Sequence, residues 1–151
     1  MSGALEIRFA HIEEIRELEE LQRRASLVWE EYREQLLAHP DAIELPEAYI
    51  RDQRVRVAVL AGRVVGFSCV LPSAPAAAEL DGLFVEPDHW RGGVGRALLD
   101  DACARARAHG IRAIEVTANP RAEAFYVRLG FVVIGRAETR FGAANRMRVE
   151  I

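Results

Sequence analysis

The chain of 151 residues has no lysine, and all 20 of its basic residues are arginine. A phosphate loop ending in Gly-Lys-Ser/Thr is therefore excluded, because its lysine has no counterpart here. Cysteine is scarce, with only Cys69 and Cys103, no CxxC spacing and no histidine cluster beside either. The expectation is two buried, reduced thiols, with neither a disulfide nor a metal site. No apolar run approaches the ~18 residues that a membrane helix needs. The opening MSGALEIRF lacks the basic and apolar regions of a signal peptide. A soluble, cytoplasmic protein without a membrane partner is expected. No repeat, low-complexity tract or linker interrupts the chain, so residues 1–151 read as one globular domain.

Charge is plentiful but uneven. Residues 1–50 carry 12 acids and 5 arginines, a net −7, whereas residues 51–151 carry 11 acids and 15 arginines, a net +4. A basic C-terminal part suits a phosphate-rich ligand, and an acidic N-terminal part favours a cationic partner over nucleic acid. A solvated acidic helix face would give the same N-terminal pattern.

The most informative stretch runs from Ala78 to Leu99, AELDGLFVEPDHWRGGVGRALL. It reads as a strand (78–85), a polar connection with Pro87 and Asp88, and a glycine-rich turn, Trp90-Arg91-Gly92-Gly93-Val94-Gly95, that opens a helix. A helix N-terminus fed by a strand is an anion site, since its first N–H groups lack intrahelical acceptors and the peptide dipoles place positive charge there. Glycines at 92, 93 and 95 leave room for a ligand against bare backbone. A dinucleotide fingerprint fits poorly, because counting from Gly93 puts Leu98 where the third glycine belongs.

These residues resemble motif A of the GCN5-related N-acetyltransferase (GNAT) superfamily, whose usual pattern, Arg/Gln-x-x-Gly-x-Gly/Ala after a strand, falls on Trp90-x-x-Gly93-x-Gly95. Trp90 departs from it, and the contact in question is a side-chain contact to a pyrophosphate. Downstream, Asn119-Pro120-Arg121-Ala122-Glu123-Ala124-Phe125-Tyr126 and Leu129-Gly130-Phe131 are similar to motif B. The resemblance implies an α/β (α+β) fold with a mixed central sheet of about six to seven strands and about four helices.

The order of elements follows from periodicity. Leu5–Phe9 alternates as a strand, and Ile12, Ile15, Leu18 and Leu21 mark an amphipathic helix. A second helix is expected over 29–38, then an irregular connection through Pro40 and Pro46. Runs 54–60 and 64–71 form a hairpin around Ala61-Gly62-Arg63, broken by the segment from Pro72 to Pro75. Within the strand at 78–85, Glu79, Asp81, Leu83 and Val85 share one face by the two-residue period. The helix after the turn runs to Ala108 with Gly110 as cap. A strand over 111–117, a short helix over 120–129, and an antiparallel pair at 131–134 and 146–151 complete the reading.

The resemblance implies transfer of an acetyl group from acetyl-CoA to an amine of a small molecule or peptide, directly within a ternary complex. Backbone of Arg91, Gly92, Gly93, Val94, Gly95 and Arg96 would take the pyrophosphate. Leu83 and Val85 would bond the pantetheine arm, Leu83 or Phe84 would support the thioester oxygen, and Asn119 would assist. An ammonium with pKa of about 10 must lose a proton before it attacks. Glu79, eleven residues before Trp90, stands at the spacing of the superfamily's histone-acetyltransferase glutamate, with Asp81 as second candidate and ordered water as the third route. Tyr126 matches the tyrosine that protonates or hydrogen-bonds the departing sulfur. Trp29, Tyr32, Glu30, Glu31, Glu34 and Tyr49 lie in the segment where the superfamily builds its acceptor pocket, although an amphipathic helix places aromatics in a core and acids on a surface without any ligand. Dimers are common in the family, but no stretch here specifies one. The alternative is a non-catalytic acyl-CoA sensor or regulatory module with the same fold, and a longer acyl donor is also compatible with the motifs.

Overall fold

The computed structural model describes residues 4–140 and 142–151, with the side chains of Glu30, Glu31 and Tyr32 outside that description. Seven strands form one mixed sheet in the order β1-β2-β3-β4-β5-β7-β6. They are β1 (Glu6–Phe9), β2 (Val55–Leu60), β3 (Arg63–Ala74), β4 (Ala77–Val85), β5 (Ala113–Ala118), β6 (Val132–Thr139) and β7 (Gly142–Glu150). Five helices accompany them: α1 (Ile15–Leu27), α2 (Glu30–Ala38), α3 (Glu47–Arg51), α4 (Val94–Ala108) and α5 (Glu123–Arg128). No described helix is long and apolar enough to cross a membrane.

The chain divides into two compact units. One comprises the chain through Cys69 with Gly82–Leu99, the other Val70–Asp81 with Asp100–Ile151. In the first, β1, β2 and β3 pair antiparallel, Glu6 against Val59 and Val57 against Phe67. Ala61 (φ 51°) and Gly62 (φ 78°) make the β2–β3 turn, both in the left-handed region that tight hairpins require. Ala58, Val65, Val94 and Leu98 form a core cluster, with Leu83 and Val85 packed on it. Gly66 makes the close packing of α4 possible: a Cβ there would lie 3.0 Å from the Phe84 carbonyl oxygen and 3.1 Å from both Leu98 and Val94.

In the second unit, β4 and β5 run parallel, with Ala77, Ala78 and Glu79 opposite Ala113, Ile114 and Glu115. β7 pairs antiparallel with both β5 and β6.

Several elements differ from expectation. Pro72 does not end β3, which continues to Ala74. Helix α3 follows Pro46, which sits at its N-cap in an extended conformation (φ −61°, ψ 134°). The last hairpin is longer than its apolar runs suggest, because β6 and β7 pair from Val132 opposite Arg148 to Thr139 opposite Gly142 through polar residues. The helix expected over 120–129 shortens to Glu123–Arg128. Cys69 is buried, whereas Cys103 is only half-buried.

Candidate active site

The turn that opens α4 is built by backbone conformation. After β4, Glu86 donates its N–H to the Val65 carbonyl at 2.8 Å, and Pro87–His89 form a single 3-10 turn. Trp90 is extended (φ −63°, ψ 143°), while Arg91 (φ 70°) and Gly93 (φ 83°) lie in the left-handed region. A non-glycine residue there costs of order 1 kcal/mol, so Arg91 is held by its surroundings. Gly93 accepts the Ala97 N–H at 3.0 Å, the first bond of the helix. A Cβ at Gly93 would meet nothing within 4 Å, which leaves the ground before the helix open. Val94 and Gly95 present first-turn N–H groups with no intrahelical acceptor. The Gly92 N–H, in contrast, is donated to the His89 carbonyl at 3.2 Å, so it closes the turn. Arg91 is exposed and has no side-chain partner among the described residues.

Trp90 does not act as a polar arm. Its indole N–H donates to the Val85 carbonyl at 2.8 Å, and its ring stacks on Trp29 with centroids 5.3 Å apart and planes 18° apart. The Val85 carbonyl is thus already engaged. Glu86, only 3% exposed, receives Arg24 Nε at 2.8 Å and Arg63 Nη2 at 3.2 Å. Neither clamp was visible in the sequence: Glu86 looks like a solvated loop acid before a proline, and Arg24 lies 62 residues away.

In the second unit, Glu79 is held by Arg146, whose Nη1 lies 2.6 Å from Oε2 and Nη2 2.9 Å from Oε1. Arg146 also donates to Thr117 Oγ1 and Glu115 Oε1, both at 2.9 Å, and Arg148 Nη1 meets Glu115 Oε2 at 2.6 Å. The sheet register builds this ladder, setting Glu79 opposite Glu115 and Glu115 opposite Arg148. The hydrogen bond from Arg148, then that from Arg146, keeps the Glu115 carboxyl below the usual carboxylate range. Asp81 has no hydrogen bond or ion pair among the described residues. Although Asp81 is exposed, desolvation of its carboxyl, and after it the Glu79 charge, shifts the group above its ordinary value.

Tyr126 is buried (6% exposed), with its ring edge-on to Phe125 and to Phe131 at 5.2 Å each. Its hydroxyl bonds to no described residue, and burial raises its pKa far above that of a free phenol, so it stays protonated at neutral pH. Asn119 Oδ1 accepts the Ala122 N–H at 3.0 Å, which shapes the entry to α5. Of the acceptor candidates, Trp29 stacks on Trp90, Glu34 is exposed and Tyr49 is half-buried on α3. Glu30, Glu31 and Tyr32 lie outside the described side chains.

The family model of the acetyltransferase (GNAT) family matches residues 12–131, and the chain belongs to that family. No curated protein sequence matches it at a significant level. Among solved structures it is similar to the PaiA N-acetyltransferase of Thermoplasma acidophilum in complex with coenzyme A, with TM-score 0.79 and 22% identity, covering 99% of this chain and 100% of that one. Ard1 from Thermoplasma volcanium gives TM-score 0.78 and 21% identity over 99% of each chain. A GCN5-related N-acetyltransferase from Rhodopseudomonas palustris gives 0.78 and 21%, covering 100% and 98%.

Proposed function

We propose that residues 1–151 act as one acyl-CoA-dependent N-acetyltransferase domain, moving an acetyl group from acetyl-CoA to an amine of a small molecule or peptide by direct transfer in a ternary complex. The observation that carries this reading is the open, left-handed turn at Arg91 and Gly93, with the bare first-turn N–H groups of Val94 and Gly95 behind it. Such a turn fits a diphosphate, and the exposed Arg91 adds a cation beside it. Leu83 and Phe84 lie at the end of β4, just ahead of this turn, and the backbone there is the proposed support for an extended ligand arm and for a developing oxyanion.

Of the two carboxylates, Asp81 suits the base better. Glu79 would have to give up a two-point arginine pair to take a proton, whereas Asp81 is unpaired among the described residues and its proton affinity is raised. Desolvation, and after it the Glu79 charge, keeps Asp81 receptive to a proton. Tyr126 donates to the departing thiolate. With a pKa above that of a thiol, the phenol stabilises sulfur as a hydrogen-bond donor before any full proton transfer.

A thiol-release assay with acetyl-CoA over a panel of amines tests this. With a productive amine, Asp81→Asn and Tyr126→Phe should each lower kcat by about 10²-fold, the ordinary worth of a positioned acid or base. The wild-type rate should rise with pH through an acidic limb shifted up from that of an ordinary aspartate, and that limb should vanish in Asp81→Asn. Binding of CoA without turnover of any amine would favour the sensor reading.

A further inference from the structure

The chain contains two tryptophans, and they lie on each other. Trp90 opens the glycine-rich turn, and its N–H is fixed on the carbonyl that ends β4. Trp29 immediately precedes α2 and ends the connection from α1. Four positions before Trp90, Glu86 is gripped by Arg24 of α1. The segment 86–90 is therefore held at both ends from the α1–α2 hairpin. Directly after this segment comes Arg91, a left-handed arginine that would relax to another conformation without such support.

We propose that the Trp29–Trp90 stack is a positioning device that keeps the Arg91 corner and the α4 N-terminus in the shape that takes a diphosphate, and so sets donor affinity from the α1–α2 hairpin. The proposal rests on the reading of the turn as the acyl-CoA site. It explains what an indole does where the family pattern carries Arg or Gln. A polar arm contributes its own contact to phosphate, whereas here the side chain shapes the backbone and leaves the contact to N–H groups and to Arg91.

Substitutions of the two tryptophans, read by circular dichroism, calorimetry and steady-state kinetics, test it. Far-ultraviolet circular dichroism of the unliganded wild type should show the exciton feature of close indoles, absent in Trp29→Leu and Trp29→Phe. Calorimetric titration with CoA should give a Kd raised about three- to tenfold in Trp29→Leu, the range that one aromatic pair is worth. Trp29→Phe, which restores a ring but no second indole, should recover most of that loss. In steady state the KM for acetyl-CoA should move more than kcat. Equal CoA affinity in wild type and Trp29→Leu overturns the proposal, as does the absence of the exciton feature. Should Trp29→Leu not fold, Trp90→Phe, which keeps a ring on Trp29 but deletes the N–H to Val85, must also raise Kd. A wild type with the exciton feature that binds no CoA overturns the donor reading itself, a failure already visible in the unmutated protein.

Discussion

Glu86 and Glu79 each have both carboxylate oxygens met by arginine, yet the two networks differ in burial and redundancy. Glu86 is 3% exposed and depends on Arg24 and Arg63. Glu79 belongs to a half-exposed ladder in which Arg146 also serves Glu115 and Thr117, while Glu115 keeps Arg148 as a second partner. In the ladder, losing Arg146 leaves Glu115 on Arg148 and Glu79 within reach of water, while losing Arg148 leaves Glu115 on Arg146. At Glu86, losing the arginines strands a carboxylate where water does not compensate it. Similar contact geometry therefore carries very different consequences, and burial decides which.

The sharpest way to break this contrast is to remove both arginines from Glu86. Arg24→Leu combined with Arg63→Leu should cost about 3–5 kcal/mol, the penalty for an uncompensated buried charge. Urea unfolding measures it, and a loss below about 1 kcal/mol would mean that Glu86 is not committed to its pair. Next in size is Gly66→Ala. The new Cβ would press on the Phe84 carbonyl at 3.0 Å and on Val94 and Leu98 at 3.1 Å, and overpacking of this kind costs about 1–3 kcal/mol. Because Val94 begins α4, CoA affinity should fall along with the melting temperature.

The legibility of the molecule follows the same division. The strand–turn–helix at 78–99, the β2–β3 hairpin and the motif residues at 119–131 are local patterns, written in glycines, periodicity and short spacings. The clamps are not local. Arg24 and Glu86, Arg146 and Glu79, and Trp29 and Trp90 are each brought together from far apart in the chain. A lone arginine or tryptophan carries no mark of its partner. Pro72 misled for a related reason: a proline is a local stop signal, and the pairing that carries β3 to Ala74 overrides it. Trp90 stood out only as a departure from a pattern, and its actual bond to Val85 needed the fold.

Within the ladder, Arg146→Leu should cost at most about 1 kcal/mol at neutral pH, since its carboxylates remain accessible to water. Its acid dependence is more telling. Glu115 has a folded pKa below its unfolded value, so its contribution is present above about pH 4.3 and is lost as pH falls through the folded value. Stability of the wild type should decline in that window. With Arg146 gone the decline should be shallower but still present, because the hydrogen bond from Arg148 is the larger cause of the depression. An unchanged acid slope would mean that Arg146 does not serve Glu115 in solution.

The smallest effect on stability is expected at the turn itself. Arg91→Gly removes the left-handed strain, worth roughly 1 kcal/mol, but a glycine loses a comparable amount of backbone entropy on folding. The two should nearly cancel, leaving unfolding within about 0.5 kcal/mol of wild type. CoA affinity should nevertheless fall, because the exposed guanidinium beside the proposed diphosphate is gone. Arg91→Ala keeps the strain while removing the same charge, so it should be the less stable of the two, with similarly weakened affinity. If Arg91→Gly binds CoA as the wild type does, the turn acts through its backbone alone, and the shape held by Trp29 and Trp90 accounts for donor recognition without that cation.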